Sequence, residues 1–455
     1  MRILLAQNLI HLPSHGGANR SDRLLMEELA ARGHDCRAVT PLTGALATLP
    51  PGPSGGTGAN GADPAVAALT TRGAVVLEDT REAVVYRFRG VTVHAVRHAS
   101  ALPGRIRDVA GDLRPDWTLV PSDDPGHVVF GAALAATPDR VVHLVHTLQQ
   151  LPCGPGAFYP SEAGTRLLRR AARTVAVSRA AQRYVAEHGG IHAEVVHPQV
   201  YGDARPPRRG GFGSGAVAMV NPCGYKGIQV LLGLADALPG TRFLAVPTWG
   251  TEPADRAELR RRPNIEVMDP VDDIDEVFRR TGVLLMPSLW DETFGYTCVE
   301  AMLRGIPVLA SDVPGLLEAK LGVPGSLPVR RITRYAARAG QARPAPVVPT
   351  QDLGPWLAAL RSLLTSRRSY EEQADASCAA AAGFVDGLDP GALERCLAGA
   401  PAHAPAPHYA AASGPGLGAA AFDRASAIRL LVARRAASGG TGAVEAVDRK
   451  GNRPC

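Results

Sequence analysis

Residues 287–308 read Pro287-Ser288-Leu289-Trp290-Asp291-Glu292-Thr293-Phe294-Gly295-Tyr296-Thr297-Cys298-Val299-Glu300-Ala301-Met302-Leu303-Arg304-Gly305-Ile306-Pro307-Val308. Two glutamates with seven residues between them bracket Gly295. The apolar run Val283 to Met286 just before has the character of a buried parallel strand. Glu300 to Arg304 reads as helix stopped by Gly305, and Ile306 to Ala310 reads as the next strand. The sum is a βαβ unit. In such a unit the helix N-terminus emerges at the carboxyl edge of the sheet, where its free amides and dipole favour a phosphate. Gly295 lets the backbone come close to a ligand. Glu300, about a turn into the helix, can aim at a pair of hydroxyls such as a ribose diol, while Glu292 in the preceding loop points elsewhere.

The spacing by itself also fits two solvated carboxylates at a helix end. Set between two buried strands as PSLWDETFGYTCVEAMLRGIPVLAS, the motif resembles the Glu-x7-Glu signature of retaining glycosyltransferases of family 4, which have the GT-B fold. The resemblance implies that Glu300 holds the nucleotide ribose and that Glu292 faces the donor sugar. It also implies that the amides around Phe294, Gly295, Tyr296 and Thr297 meet the sugar and diphosphate.

Working outward, Val220-Asn221-Pro222-Cys223-Gly224-Tyr225-Lys226-Gly227 follows a strand and opens a helix, placing an ammonium at another strand-end turn. Lysine is almost absent from this arginine-rich chain, occurring as Lys226, Lys320 and Lys450, so a surviving lysine is informative. Lys226 suits neutralisation of charge on a diphosphate leaving group; the plain alternative is a surface lysine at a helix start. Family 4 usually has an arginine five residues before this lysine, and here stands Asn221, so the Asn-Pro form with Lys-Gly resembles a less common branch. Which group supplies the second half of the usual cation pair is open.

His143 and His146 lie three apart on an apolar strand, so their side chains face opposite ways and at most one looks into a cleft. His146, at the strand end, matches the family histidine that approaches the donor sugar, against the alternative of a hydrogen-bonded cap. Gly16-Gly17, in the first strand-to-helix loop, resembles the family's glycine loop at the reaction centre, although a simple turn accounts for it equally. Ser122-Asp123-Asp124 reads as N-caps of a following helix, and Glu318 stands where it can frame the nucleotide pocket.

With 455 residues, 45% of them hydrophobic, the chain has room for two α/β domains. The net charge of +6 is modest and lacks a dense basic block or interleaved aromatics, which argues against nucleic-acid binding and leaves at most peripheral contact with anionic membranes. No stretch reaches the roughly 18–20 apolar residues of a membrane span. The apolar opening runs at once into Gln7 and Asn8, a first strand rather than a leader. Seven scattered cysteines without a Cys-x-x-Cys pair read as reduced thiols of a cytoplasmic protein with no metal site.

Two successive βα series imply two Rossmann-like, doubly wound domains facing across a cleft. The expected divisions are an acceptor-side domain over 1–205 with a flexible insertion at 41–64, a nucleotide-sugar domain over 206–368, helices over 369–398 that in this fold commonly cross back to the first domain, and a disordered Ala/Pro/Gly-rich tail over 399–455 with a candidate helix at Phe422 to Arg435. The resemblance implies a metal-independent, retaining glycosyltransferase of hexosyltransferase type. It would need no cofactor beyond a nucleotide-diphosphate sugar as co-substrate and would act on a small-molecule, glycan or lipid-linked acceptor. A glycosidase would instead need two carboxyls about 5–9.5 Å apart and would gain nothing from Lys226. A non-catalytic GT-B scaffold that binds sugar nucleotides is the other reading, for which Asn221 is suggestive.

Overall fold

The computed structural model describes residues 1–14, 16–43, 63–202, 205–336 and 344–399. Most of the expected insertion at 41–64, the tail beyond Gly399 and the candidate helix at Phe422 to Arg435 lie outside the described residues. The chain divides into two compact units, Met1–Tyr335 with Pro346–His408, and Ala336–Ala345 with Tyr409–Cys455. Of the second, Ala336, Pro344 and Ala345 are described. Both large sheets lie in the first.

The first sheet contains β1 (Arg2–Ala6), β2 (Asp35–Pro41), β3 (Val75–Asp79), β4 (Ala83–Phe88), β5 (Val91–Val96), β6 (Trp117–Pro121), β7 (Val141–Val145), β8 (Arg173–Ala176) and β9 (Glu194–Val195). Their order across the sheet is β3-β4-β5-β2-β1-β6-β7-β8-β9. Every pairing from β5 through β9 is parallel, and β3-β4 and β4-β5 are antiparallel. The second sheet holds β10 (Ala216–Val220), β11 (Phe243–Val246), β12 (Ile265–Val267), β13 (Thr281–Met286), β14 (Val308–Ser311) and β15 (Ser326–Leu327). Its order is β12-β11-β10-β13-β14-β15, all parallel. Parallel strands are covered on both faces, which is why runs such as Ile3 to Ala6, Val217 to Met219 and Val283 to Leu285 are apolar without alternation and fully buried.

Strand order reverses between β1 and β6 in one sheet and between β10 and β13 in the other. Neighbouring loops leave such a point in opposite directions and open a crevice at the carboxyl edge. The crevice in the second sheet lies between the Asn221 to Gly227 turn and the Pro287 to Gly295 loop.

After the second sheet, the Arg367–Asp386 helix buries Tyr370 and Ala374 against it, and Tyr370 Oη donates to the Gly282 carbonyl at 2.8 Å. The Ala392–Ala398 helix then returns to the first lobe, where Leu393, Cys396 and Leu397 join the core around Ile3, Leu5 and Met26. Arg32 donates to the Pro390 carbonyl at 2.6 Å, and His34 Nε2 lies 2.7 Å from Glu394.

Several helices were not evident from sequence. Pro64–Thr71, Leu102–Leu113, Pro253–Arg260 and Pro314–Ala319 all carry proline in the first two helical positions. Proline there removes an amide that would have no partner and presets φ, so it starts a helix rather than breaking one. The first helix spans Gly17–Ala31, so Gly17 is a helical residue rather than part of a loop.

The returning helix buries apolar surface in the first lobe, so its loss should be felt there. Leu397→Ala should cost about 2–5 kcal/mol in a urea or thermal unfolding experiment, and a change within error would mean that the helix does not hold the first lobe together.

Candidate active site

Gly295 turns the chain into the Tyr296–Leu303 helix with φ 120°, and a Cβ there would lie 2.7 Å from Leu316 Cδ2, so both conformation and space call for glycine. The Phe294 side chain is core, packed on His197 and Phe384, leaving its backbone at the site. Thr297 is half-buried in the first helical turn, and Glu300 is buried one turn in, on the face toward the first lobe.

Glu292 is the centre of a polar cluster. Its Oε1 accepts from Lys226 Nζ at 2.5 Å, from Trp290 Nε1 at 3.0 Å and from Ser288 Oγ. Lys226 Nζ also stands 4.9 Å above the Trp290 ring. Burial pushes the Glu292 carboxyl up, but the Lys226 ammonium and the three donors outweigh it and hold the group below its ordinary range. The two residues expected to serve sugar and diphosphate thus form one ion pair. Asn221 adopts a left-handed turn with φ 58°, and its Oδ1 accepts from the Gly250 amide at 2.9 Å. Its buried Nδ2 has no hydrogen-bond partner among the described residues.

The first lobe approaches this cluster closely. A Cβ on Gly17 would be 3.1 Å from Tyr296 Cδ2, so the first helix and the Tyr296 ring meet in tight contact that a side chain here would force to yield by a few tenths of an ångström. Gly16 precedes it, beside Trp249. Arg20, one turn along, places Nη1 2.5 Å from Glu300 Oε1 and Nη2 3.0 Å from the Val200 carbonyl. Thr293 Oγ1 donates to the His146 carbonyl at 2.7 Å, and Ser178 Oγ donates to the Thr293 carbonyl at 2.5 Å. Gln149 Nε2 donates to the Asp291 carbonyl at 2.8 Å. Glu318 accepts from the amides of Arg179 and Ala180 at 2.9 and 2.8 Å, capping a helix of the opposite lobe.

His143 lies in the core against Phe130, where burial lowers its pKa to about 3. His146 is at the strand end, buried, with Nε2 2.8 Å from Asp22 Oδ1. Burial lowers its pKa, but Asp22 and then Asp123 more than reverse this, so His146 is held above its ordinary value. Burial, opposed by His146, pushes Asp123 up to about 6. Of the expected caps, Asp124 takes the amides of Val128 and Phe130, whereas Ser122 accepts from those of His146 and Thr147. Lys320 is buried, donating Nζ to the Val308 carbonyl at 2.7 Å beneath the motif helix; Lys450 is outside the described residues. Among the described residues no three His, Cys, Asp or Glu side chains form a group suited to a metal ion, and no helix is long and apolar enough to cross a membrane.

Sequence reasoning did not single out Arg20 or Asp22, and it did not anticipate the part that Ser288 and Trp290 play around Glu292. The last two lie inside the motif and were legible as donors beside a carboxylate. Arg20 and Asp22 share the first helix with Gly17, and their partners stand far away in the chain.

Two family models match the chain, one described as Glycosyltransferase Family 4 over residues 15–200 and one as Glycosyl transferases group 1 over residues 215–339. The chain has the GT-B fold, and its two lobes resemble glycosyltransferase domains of the family 4 type. Solved structures share the fold of this family 4-like chain. A glycosyltransferase from Rickettsia africae is 12% identical, with 87% of this chain and 96% of that one aligned and a TM-score of 0.55. Anabaena HepE in complex with UDP-glucose is 15% identical over 88% and 98%, with a TM-score of 0.55. S. aureus TarM in complex with fondaparinux, alpha-GlcNAc-glycerol and UDP is 9% identical over 87% and 99%, with a TM-score of 0.57. No curated protein matches by sequence.

The His146 ion pair makes this family 4-like protein pH-sensitive in a defined direction. A histidine whose folded pKa exceeds 6.5 contributes its stability in full below that value and loses it as pH rises through the folded pKa. Asp22→Asn should therefore cost about 3 kcal/mol in mildly acidic buffer and progressively less above neutrality. Denaturant titrations across that range would show it, and a cost that grows with pH would contradict the pairing.

Proposed function

We propose that this protein transfers a sugar from a nucleotide-diphosphate donor to an acceptor hydroxyl with retention at the anomeric carbon and without a tightly bound metal. The observation that carries the reading is the motif helix N-terminus at the β10/β13 crevice, with Glu292 and Lys226 on one side of it and Glu300 one turn in on the other. The HepE and TarM complexes with UDP-glucose and with UDP, on the same fold, support a nucleotide-sugar donor. Free amides of residues 294–297 would receive the diphosphate. Glu300 would exchange its present partner for ribose hydroxyls, and Glu292 for hydroxyls of the sugar. As the bond from the anomeric carbon to the diphosphate oxygen breaks, Lys226 would turn to the departing charge. The acceptor oxygen would bond to the carbon on the same face and pass its proton to the diphosphate. The work of the protein in this scheme is positioning and preorganised charge.

Acceptor binding belongs on this reading to the carboxyl edge of the first sheet. There His11, Asn19 and Asp123 carry buried polar atoms with no hydrogen-bond partner among the described residues, as expected of groups that await a ligand or water. The six described cysteines are all free thiols, which suits a cytoplasmic setting. Asn221 in place of arginine is the observation that favours the alternative, a scaffold that binds the donor without turnover. Donor hydrolysis or transfer by the purified protein separates the two.

Glu300→Gln should act mainly on donor affinity and KM, because its ribose contact is present in ground and transition states alike. Glu292→Gln should lower kcat more than affinity, since charge develops at the sugar. In a calorimetric titration, nucleoside diphosphate without sugar should bind more weakly to the Glu300 variant and almost unchanged to the Glu292 variant; the reverse ranking would overturn the roles. Activity should also survive chelator, and loss restored only by added metal would contradict the metal-independent scheme.

A further inference from the structure

We infer that Arg20, on the first lobe, is the second cation of the diphosphate site, supplying across the cleft the charge that Asn221 cannot. The inference rests on the donor-binding reading above. A diphosphate brings more than one negative charge, and Lys226 is a single ammonium already paired with Glu292. Asn221 is neutral, and its side-chain oxygen is committed to Gly250. Among the described residues three further arginines contact the segment 287–304 or belong to it: Arg331, Arg304 and Arg209, the last giving its amide to the Arg304 carbonyl and its guanidinium to Asp275. Arg331 is 43% exposed and pairs with Asp291, while Arg304 is bound to Asp275 at the far end of the helix. Arg20 alone of these is inside the crevice, 2.5 Å from Glu300.

Its position also gives it reach. Glu300 is four residues beyond Tyr296, so at 1.5 Å per residue the helix N-terminus lies about 6 Å from the carboxylate that Arg20 now holds. Gly17, one turn before Arg20, touches Tyr296 at that same N-terminus. The guanidinium therefore has to swing by one helical turn, along the surface that the two helices already share, to meet the diphosphate. Its planar fork suits phosphate oxygens. The move frees Glu300 at the moment when a ribose needs it, so one side-chain exchange completes both ends of the nucleotide site. Without ligand the same exchange runs backwards, and each buried carboxylate retains a cation, which avoids leaving an unpaired charge in a desolvated cleft.

The test compares Arg20→Met and Arg20→Lys with the unaltered protein. UDP, GDP, ADP and dTDP are titrated by calorimetry to find the tightest binder, and the matching nucleoside is titrated by NMR. The expected result is at least a tenfold loss of nucleoside diphosphate affinity in Arg20→Met, partial recovery in Arg20→Lys, and nucleoside affinity unchanged or raised. Equal loss for nucleoside and nucleoside diphosphate would overturn the inference and make Arg20 a strut for Glu300. Unchanged or tighter diphosphate binding would overturn it too, making Arg20 a bystander or a block. Melting curves identify a misfolded Met variant, in which case Arg20→Lys decides: diphosphate affinity equal to that of the unaltered protein, or a loss that the nucleoside shares, would sink the idea. If none of the four diphosphates binds the unaltered protein, the donor-binding reading fails, and this inference with it.

Discussion

Thr293 carries the constraint on which the site depends. Its hydroxyl donates to the His146 carbonyl and its carbonyl accepts from Ser178, so one residue of the second lobe is bonded twice to the first. The residues on either side inherit that position. Glu292 is turned back toward Lys226 and Trp290, while Phe294 enters the core and Gly295 redirects the chain into the motif helix. The helix start consequently meets Gly17 rather than solvent. Both partners of Thr293 stand at the carboxyl ends of first-lobe strands, so the two crevices are registered to one another through two hydrogen bonds, each from a side-chain hydroxyl to a backbone carbonyl.

The charges in the cleft follow a second rule. Glu292, Glu300 and Asp22 each have a cationic partner, Lys226, Arg20 and His146 respectively. In a desolvated site an unpaired carboxylate would be costly. Pairing makes the site stable without ligand, and because two of these pairs span the face of one helix, a ligand that brings its own charge and hydroxyls can substitute for them piece by piece. Glu318 follows the same logic with backbone amides as its partner, closing the helix end at Arg179 and Ala180.

How far the sequence went depended on the range of each signal. The βαβ unit around Glu292 was legible because buried parallel strands write themselves as continuous apolar runs, and Gly305 marks the helix end. Lys226 stood out by composition. The proline-led helices were missed, although Asp63 before Pro64 and Glu252 before Pro253 supply the side-chain acceptors of a helix start. The pairing of Arg20 with Glu300 had no local trace at all. It joins residues 280 positions apart, and only the meeting of two lobes creates it. The same holds for the partnership of Asp22 with His146, where the strand-end histidine was visible and its meeting with Asp22 was not.

The return of the Ala392–Ala398 helix to the first lobe has a mechanical consequence. The polypeptide passes between lobes twice, near residues 197–209 and again near 384–391. The two passages lie side by side, with Arg205 paired to Asp386 and the ring of Phe384 set against His197 and Tyr201. A single tether would let one lobe swivel freely about the other. Two adjacent tethers joined by an ion pair and stacked rings define an axis, as the two leaves of a book share a spine, and confine any opening to rotation about it. The contacts of Thr293 and Arg20 lie beside that spine, since Phe294 packs on His197 and Phe384 and Arg20 donates to the Val200 carbonyl, so a small turn about it moves them little while the outer rims of the cleft part the most.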